Sequence, residues 1–395
     1  MPKTGDSNRV QLYIRKNTGA FDRAVSSDAD TGWSELRFTG EALEHQKTSE
    51  ASATIRADRM KDSVAELAAQ TSGTIDFELT ADTASVRTLF EGLIGNSFAA
   101  KSAVTGATID NPVAGSTTDL TASGIQTGVT AGSYVRVTNA DTPADDGLYR
   151  VTATTTNAIT IDANLTDQET CDVAFGNTLV NKAAPDVNTY EIEKRFSDLD
   201  TPEYMYFGGQ RIGQISLNLA SQQRITAQAS FDGRRGLMTQ TVNGGAHTAT
   251  ATQSDPMTAS ANVAELTLDE GARPLPPVQS LDITLNGNNR IKSAVGSKYP
   301  IDIGQGTIDM SGSFQLFFQD SAAFDLMEAH TYFSIRLRTT DAAGNVFMIF
   351  FPRAVFTEGS PTASGENTDV VEAKGFIAVN DTTSGYGILV QDLPA

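Results

Sequence analysis

Apolar residues in this chain alternate far more often than they recur at helical spacing. Leu281, Ile283 and Leu285 occupy every second position, and so do Phe314, Leu316 and Phe318. A period of two predicts half-buried strands, with one face in a core and the other in water. Ile75, Phe77 and Leu79 give a third clean case. Segments 10–14, 190–196, 204–212, 215–219, 225–231, 263–268 and 346–351 read the same way, with a shorter strand at Leu36 and Phe38 beside Trp33. Two stretches depart from the pattern. Segment 84–94 carries Val86, Leu89, Phe90 and Leu93 at helical spacing before a Gly95-Asn96 stop, and 322–329 carries Phe324, Leu326, Met327 and Ala329. The expected fold is therefore mainly β with two short helices.

The connections are as informative as the strands. Segment 40–62 is polar, mixed in charge and without an apolar stripe, so it must be ordered by a neighbour if it is ordered at all. Asp341 to Asn345 predicts a hairpin turn, and 236–255 a polar connector. Between 100 and 184 the composition shifts to Thr, Ala, Gly and Asp. Inside that window Tyr134, Val135 and Val137, then Tyr149 and Val151, then Ile159 and Ile161 predict a small β-domain, with a tight turn at Asp145-Asp146-Gly147.

The chain also repeats itself. The strand from Ser72-Gly73 corresponds to that from Ser311-Gly312, and Leu89-Phe90-Glu91 to Leu326-Met327-Glu328. Phe207-Gly208-Gly209 corresponds to Phe351-Pro352-Arg353, and Leu36 to Phe38 is matched with Leu281 to Ile283. The resulting division is 1–99 with 185–245 as a first domain split by an insert, 100–184 as the insert, and 246–395 as a second domain.

Composition narrows the chemistry. At 395 residues the chain can build two or three cores. Its 48 acidic and 29 basic residues give a net charge of −19, which repels phosphate and argues against a nucleic-acid reader. Solubility alone explains such a charge, as does a channel wall that DNA must pass without adhering. Cys171 is the only cysteine, which leaves no intramolecular disulfide. His45, His247 and His330 show no metal-ligand spacing, and no nucleophile elbow, phosphate-binding loop or dinucleotide fingerprint is present. Asp198, Asp200 and Glu203, and Asp141, Asp145 and Asp146, are carboxylate clusters best read as solvated turns. No catalytic, cofactor or metal residue is assigned. The absence of an apolar leader or a long apolar run predicts assembly in a cytoplasm, without a membrane span.

Three peptides, in this order, tie 278–356 to a known family: Gly296-Ser297-Lys298-Tyr299-Pro300-Ile301-Asp302-Ile303, the strand start Ser311-Gly312, and Phe351-Pro352-Arg353. With the order strand, long arm, strand, helix, hairpin, this resembles the major tail tube protein of long-tailed, non-contractile bacteriophages in its duplicated-domain form. The resemblance implies two tandem β-sandwich or barrel domains, each with one short helix and a long arm. It further implies trimeric, pseudo-hexameric rings stacked into a tube, inner strands joined into one barrel, and DNA passing without specific binding. Other tail proteins (tape measure, tail terminator, distal tail protein) would be partners, and the virion the location. Basic residues cluster in the two arms, making Lys47, Arg56, Arg59 and Lys61, with Arg290, Lys292, Lys298 and Tyr299, the candidate inter-subunit contacts. A surface decoration or host-binding protein is the alternative; a virion-associated hydrolase is disfavoured by the missing catalytic groups.

Overall fold

The structure, a computed structural model, describes residues 5–17, 32–80, 84–111, 117–240, 255–363 and 365–395. The strands that frame it are numbered here along the chain. They are β1 (Val10–Asn17), β2 (Glu44–Ala51), β3 (Val64–Glu78), β4 (Thr189–Phe196), β5 (Glu203–Ala220), β6 (Thr226–Gly233) and β7 (Arg235–Thr239). There follow β8 (Val263–Leu268), β9 (Val278–Asn286), β10 (Asp309–Phe317), β11 (Phe333–Thr340), β12 (Val346–Glu358), β13 (Val371–Ala378) and β14 (Leu389–Leu393). The helices are α1 (Ala84–Ile94) and α2 (Ala322–Glu328).

The alternation becomes two packed layers, because strands with one apolar face must bury it against another sheet. The first layer runs β2–β3–β6–β5–β9–β10–β13–β12, every pair antiparallel. The second has two parts, β1–β4–β5–β7 and β8–β11–β12–β14. β5 and β12 serve both layers, and each changes sheet at a bulge: β5 between Phe207 and Gln210, where its pairing passes from β4 and β7 to β6, and β12 between Phe351 and Ala354, where it passes from β11 and β14 to β13. An extra residue bends a strand and sharpens its twist, which is how one strand turns a corner between sheets. Segments 204–212 and 215–219, which read as two strands in the sequence, are therefore one strand, with its corner at Gly208 and Gly209.

Between the layers lies one continuous core. Ile215, Leu217, Ile283, Phe314 and Phe376 face Ile192, Phe207, Ile335 and Phe351 across it. Helix α1 lies directly on this core: a Cβ at Gly92 would stand 2.4 Å from Ile212 and 2.6 Å from Tyr190, so only glycine permits the approach.

The ladders repeat in detail. A Cβ on Gly73 would lie 2.2 Å from the Ala42 carbonyl oxygen, and one on Gly312 would lie 2.2 Å from the Asp282 carbonyl oxygen. Glu44 opposes Ser72 as Thr284 opposes Ser311. This corrects the expected match of Leu36 to Phe38 with Leu281 to Ile283. Leu36 donates its N–H to Leu12 at 2.9 Å, and the place beside β3 is taken by Gly40–Glu41 and β2. Apolar spacing had selected the wrong segment, since Leu43 is the one large buried apolar side chain that 40–46 contributes.

Six short strands between Val104 and Phe175 close a separate barrel with its own core, including Ile109, Leu120, Val135, Val151 and Val173. The tight turn expected at Asp145-Asp146-Gly147 is a longer loop with a 3-10 turn at Pro143–Asp145. Its carboxylates cap backbone N–H groups, Asp146 accepting from Ala140 at 2.9 Å and Asp145 from Thr166 at 2.8 Å. The barrel docks on the outward face of β12 and β14. Tyr134 and Gln391 exchange two hydrogen bonds, of 2.7 and 2.8 Å, and the Tyr134 hydroxyl donates to Glu265 at 2.5 Å. Arg336, almost fully buried, lies 4.5 Å from the Phe350 ring centroid and 5.6 Å from that of Tyr134.

The connector expected over 236–255 begins instead with strand β7, and 241–254, with His247, fall outside the described residues. Because the Gly312 approach has no slack, Gly312→Ala is expected to cost about 1–3 kcal/mol. A urea melt should show a lower midpoint with unchanged slope; an unchanged midpoint would mean that the crossing is looser than described.

Candidate functional site

Every second residue of the first layer points away from the core, and register brings these residues together into one polar field. Gln228 of β6 opposes Asp76 of β3, and Ser216 of β5 opposes both Gln228 and Thr284 of β9. Asn218 opposes Asp282, which in turn opposes Ser313 of β10. Across the β5–β9 pairing the field passes from one half of the chain to the other without a break. Asp76, Ser216, Asn218, Gln228, Asp282 and Thr284 line a shallow depression at its centre.

The field is acidic. Its carboxylates are held by neutral donors: Gln228 donates to Asp76 at 2.6 Å, Asn218 to Asp282 at 2.5 Å, Asn288 to Asp309 at 2.7 Å and Asn289 to Asp232 at 3.0 Å. Amide donors fix these side chains without cancelling their charge. At its margins Arg224 pairs with Glu78 at 2.6 Å and Arg211 with Asp302 at 3.1 Å. No group of three or more His, Cys, Asp or Glu among the described residues could hold a metal ion. Asp198, from one of the two acidic clusters, accepts the Asp6 N–H at 2.7 Å.

Two arms project beside this field. The polar stretch 40–62 is ordered by its own chain: β2 pairs with β3 to make a long hairpin whose tip is 52–63. The second arm is a short hairpin in which Arg290–Lys292 pairs with Asp302–Gly304. The arms touch where the Ala69 N–H donates to the Lys298 carbonyl at 2.8 Å.

Of the eight arm residues singled out in the sequence, three meet here. Lys47 and Lys298 each approach Glu66 at 3.4 Å, and the Tyr299 ring centroid lies 6.4 Å from that of His45. Burial, then Lys47 and Lys298, holds the His45 pKa below its usual value. Arg290 and Lys292 stay within the second arm, on the Gln305 carbonyl at 3.2 Å and on Asp302 at 2.7 Å. Arg56 pairs with Asp58 at 2.8 Å and Asp62 at 2.5 Å at the first tip. Arg59 and Lys61 are exposed there without an ion pair among the described residues. The tip also exposes Ile55 and Met60, at 98 % and 68 %.

The acidic field itself was missed at the level of single residues. Its signal was present, as the polar positions between Ile75, Phe77 and Leu79 and between Leu281, Ile283 and Leu285. Those positions show which side chains face outward, but the register that assembles them joins residues far apart in sequence.

The first layer thus presents one polar, amide-braced face with two arms beside it. The chain belongs to the phage tail tube protein family, whose sequence profile matches residues 7–380. It is thus a structural protein of the phage tail tube. Comparison with curated proteins gives no match. No helix among the described residues is long and apolar enough to cross a membrane.

Asp302 anchors the second arm through both Lys292 and Arg211. The hydrogen bond from Lys292, and then the Arg211 charge, holds its carboxyl below the usual aspartate range despite partial burial. A depressed folded-state pKa stabilises at pH above the unfolded value, about 4, and the contribution fades as pH falls through the folded value. The arm should therefore stay docked at pH 5 and loosen well below pH 4. Asp302→Asn should speed amide exchange over 290–304 at pH 7 without moving the global melt. Unchanged exchange there would remove Asp302 as the anchor.

Proposed function

We propose that three copies of this chain close a ring, that rings stack into the tail tube, and that the acidic field lines the channel through which DNA leaves the virion. The division into 1–99 with 185–245, 246–395 and an inserted 100–184 supplies the units: two similar sandwiches per chain, six per ring. The observation that carries the reading is the β5–β9 junction. Within one chain it joins the first half to the second edge to edge, over Gln214 to Ala220 and Asn286 to Ser280. The equivalent edges at the two ends of the first layer, 358–362 and 40–46, have no further strand partner among the described residues. Unpaired edges of this kind seek another chain, and a head-to-tail contact that closes gives a ring.

The dimensions agree. Eight strands or strand-like segments per chain make about 24 in a trimer. At about 4.8 Å apart they give a perimeter of about 115 Å and about 37 Å between opposite backbones. Side chains narrow that bore but leave it wide enough for a DNA duplex. An acidic wall then favours passage, because neutralising phosphates and releasing their counterions is what makes DNA adhere. The arms, set beside the field and carrying Lys47, Arg56, Arg59, Lys61, Arg290, Lys292, Lys298 and Tyr299, bridge successive rings. Assembly takes place in the host cytoplasm, with the tape measure, terminator and distal tail proteins completing the tail.

Transferring the β5–β9 register to the open edges places Ser360 of one copy opposite Glu44 of the next. A Ser360→Cys, Glu44→Cys double variant should give, on oxidation of assembled protein, a ladder of crosslinked chains ending at three. Adding Arg56→Glu and Arg59→Glu should leave crosslinked rings that stack poorly. Assembled protein without the crosslink would reject the edge pairing. Lysine at Asp76, Asp282 and Asp309 should slow DNA ejection several-fold, roughly, at low salt and less at high salt; salt-independent, unchanged ejection would reject the electrostatic role.

A further inference from the structure

The two helices occupy equivalent places but unlike surroundings. Phe90 and Leu93 of α1 are buried, and the helix is covered from the second half of the chain. The Phe90 ring centroid lies 5.8 Å from that of Phe347 on β12, and Arg87 is ion-paired with Asp392 on β14. Among the described residues helix α2 has no such cover from the other half of the chain; Lys374 of the neighbouring β13 stands 5.1 Å from the Phe324 ring centroid. Only Ala323 of its residues is buried, and Phe324, which corresponds to Arg87, is 36 % exposed.

The surface that would complete the repeat is likewise exposed among the described residues. β7 pairs with β5 as β14 pairs with β12: Leu237 opposes Tyr206 as Leu389 opposes Phe350. By that register Met238 corresponds to Val390 and Gln240 to Asp392. Val390 is fully buried, whereas Met238 is 55 % exposed. The substitutions match across the gap. Where the junction within the chain uses an arginine and an aspartate, the equivalent helix and strand carry Phe324 and Gln240, so neither side leaves a charge unpaired.

We infer that α2 of one copy docks on β5 and β7 of a second copy, with Phe324 seated beside Met238 and Gln240. The contact rests on the ring reading above for its closure, but it is defined independently of the sheet edges. It adds an apolar anchor to an interface otherwise made of backbone hydrogen bonds, and it makes that interface heterologous: helix side on one copy, strand side on the next.

The test is a Phe324→Cys, Gln240→Cys double variant treated with a short bismaleimide and compared with each single-cysteine chain, alongside electron microscopy of the same samples. Cys171 is buried, with its thiol pKa pushed up to about 11 by burial and by Asp172, Asp146 and Asp141, so it stays silent. A crosslinked ladder from the double variant alone is expected. In parallel, Phe324→Asp should melt as the unaltered subunit does yet assemble about tenfold less well. Tubes that form without the crosslink, and form equally well with Phe324→Asp, would overturn the docking and leave the tube reading standing. Crosslinked chains that never form tubes would uphold the docking and overturn the tube reading. Neither crosslink nor assembly would overturn both.

Discussion

An antiparallel sheet cannot end without leaving a row of unpaired N–H and C=O groups, and this chain is organised around that constraint. Where β5 meets β9, the two halves of the chain satisfy each other's edges along seven opposed residue pairs. The corners at Gly208-Gly209 and Pro352-Arg353, the close approach to a neighbouring carbonyl that Gly73 and Gly312 permit, and the seating of α1 all serve to bring those edges into line. The same geometry, carried to the outer edges, is what turns a two-sandwich chain into a proposed ring.

The junction also explains why the polar field is continuous. Alternation guarantees that each sandwich has one wet face, but nothing in alternation makes two wet faces coplanar. The β5–β9 register does so, setting Asn218 against Asp282 and Ser216 against Thr284. Acidic groups braced by amides keep their charge, so the field stays repulsive to phosphate. The barrel docks on the opposite side, against Val346, Met348 and Phe350, and so leaves the field clear. Arg336 of β11, buried beside Glu265 and the barrel's Tyr134, commits the barrel to one orientation.

Most strands were legible in the sequence because their stabilising contacts are apolar and periodic. The helices were legible for the same reason. What was not legible is held by other forces. β2, reading EHQKTSEA, has no apolar face and exists because its backbone pairs with β3. β7 was taken for a connector because its apolar residues, Leu237 and Met238, are exposed and sit in a Gly- and Thr-rich stretch. Leu36 to Phe38 reads as the repeat counterpart of Leu281 to Ile283, since spacing reports which face a side chain takes and not which strand it joins. The family was legible from three short peptides, whereas the acidic field needed the register.

The central claim is that the polar face of the first layer looks into a closed channel. A cryo-electron microscopy map of tubes assembled from the purified chain tests it most directly. The account predicts hollow tubes with three copies per ring, Asp76, Asp282 and Asp309 at the lumen and the barrel on the outside. A map with the barrel towards the axis, or with those aspartates buried between rings, would contradict it.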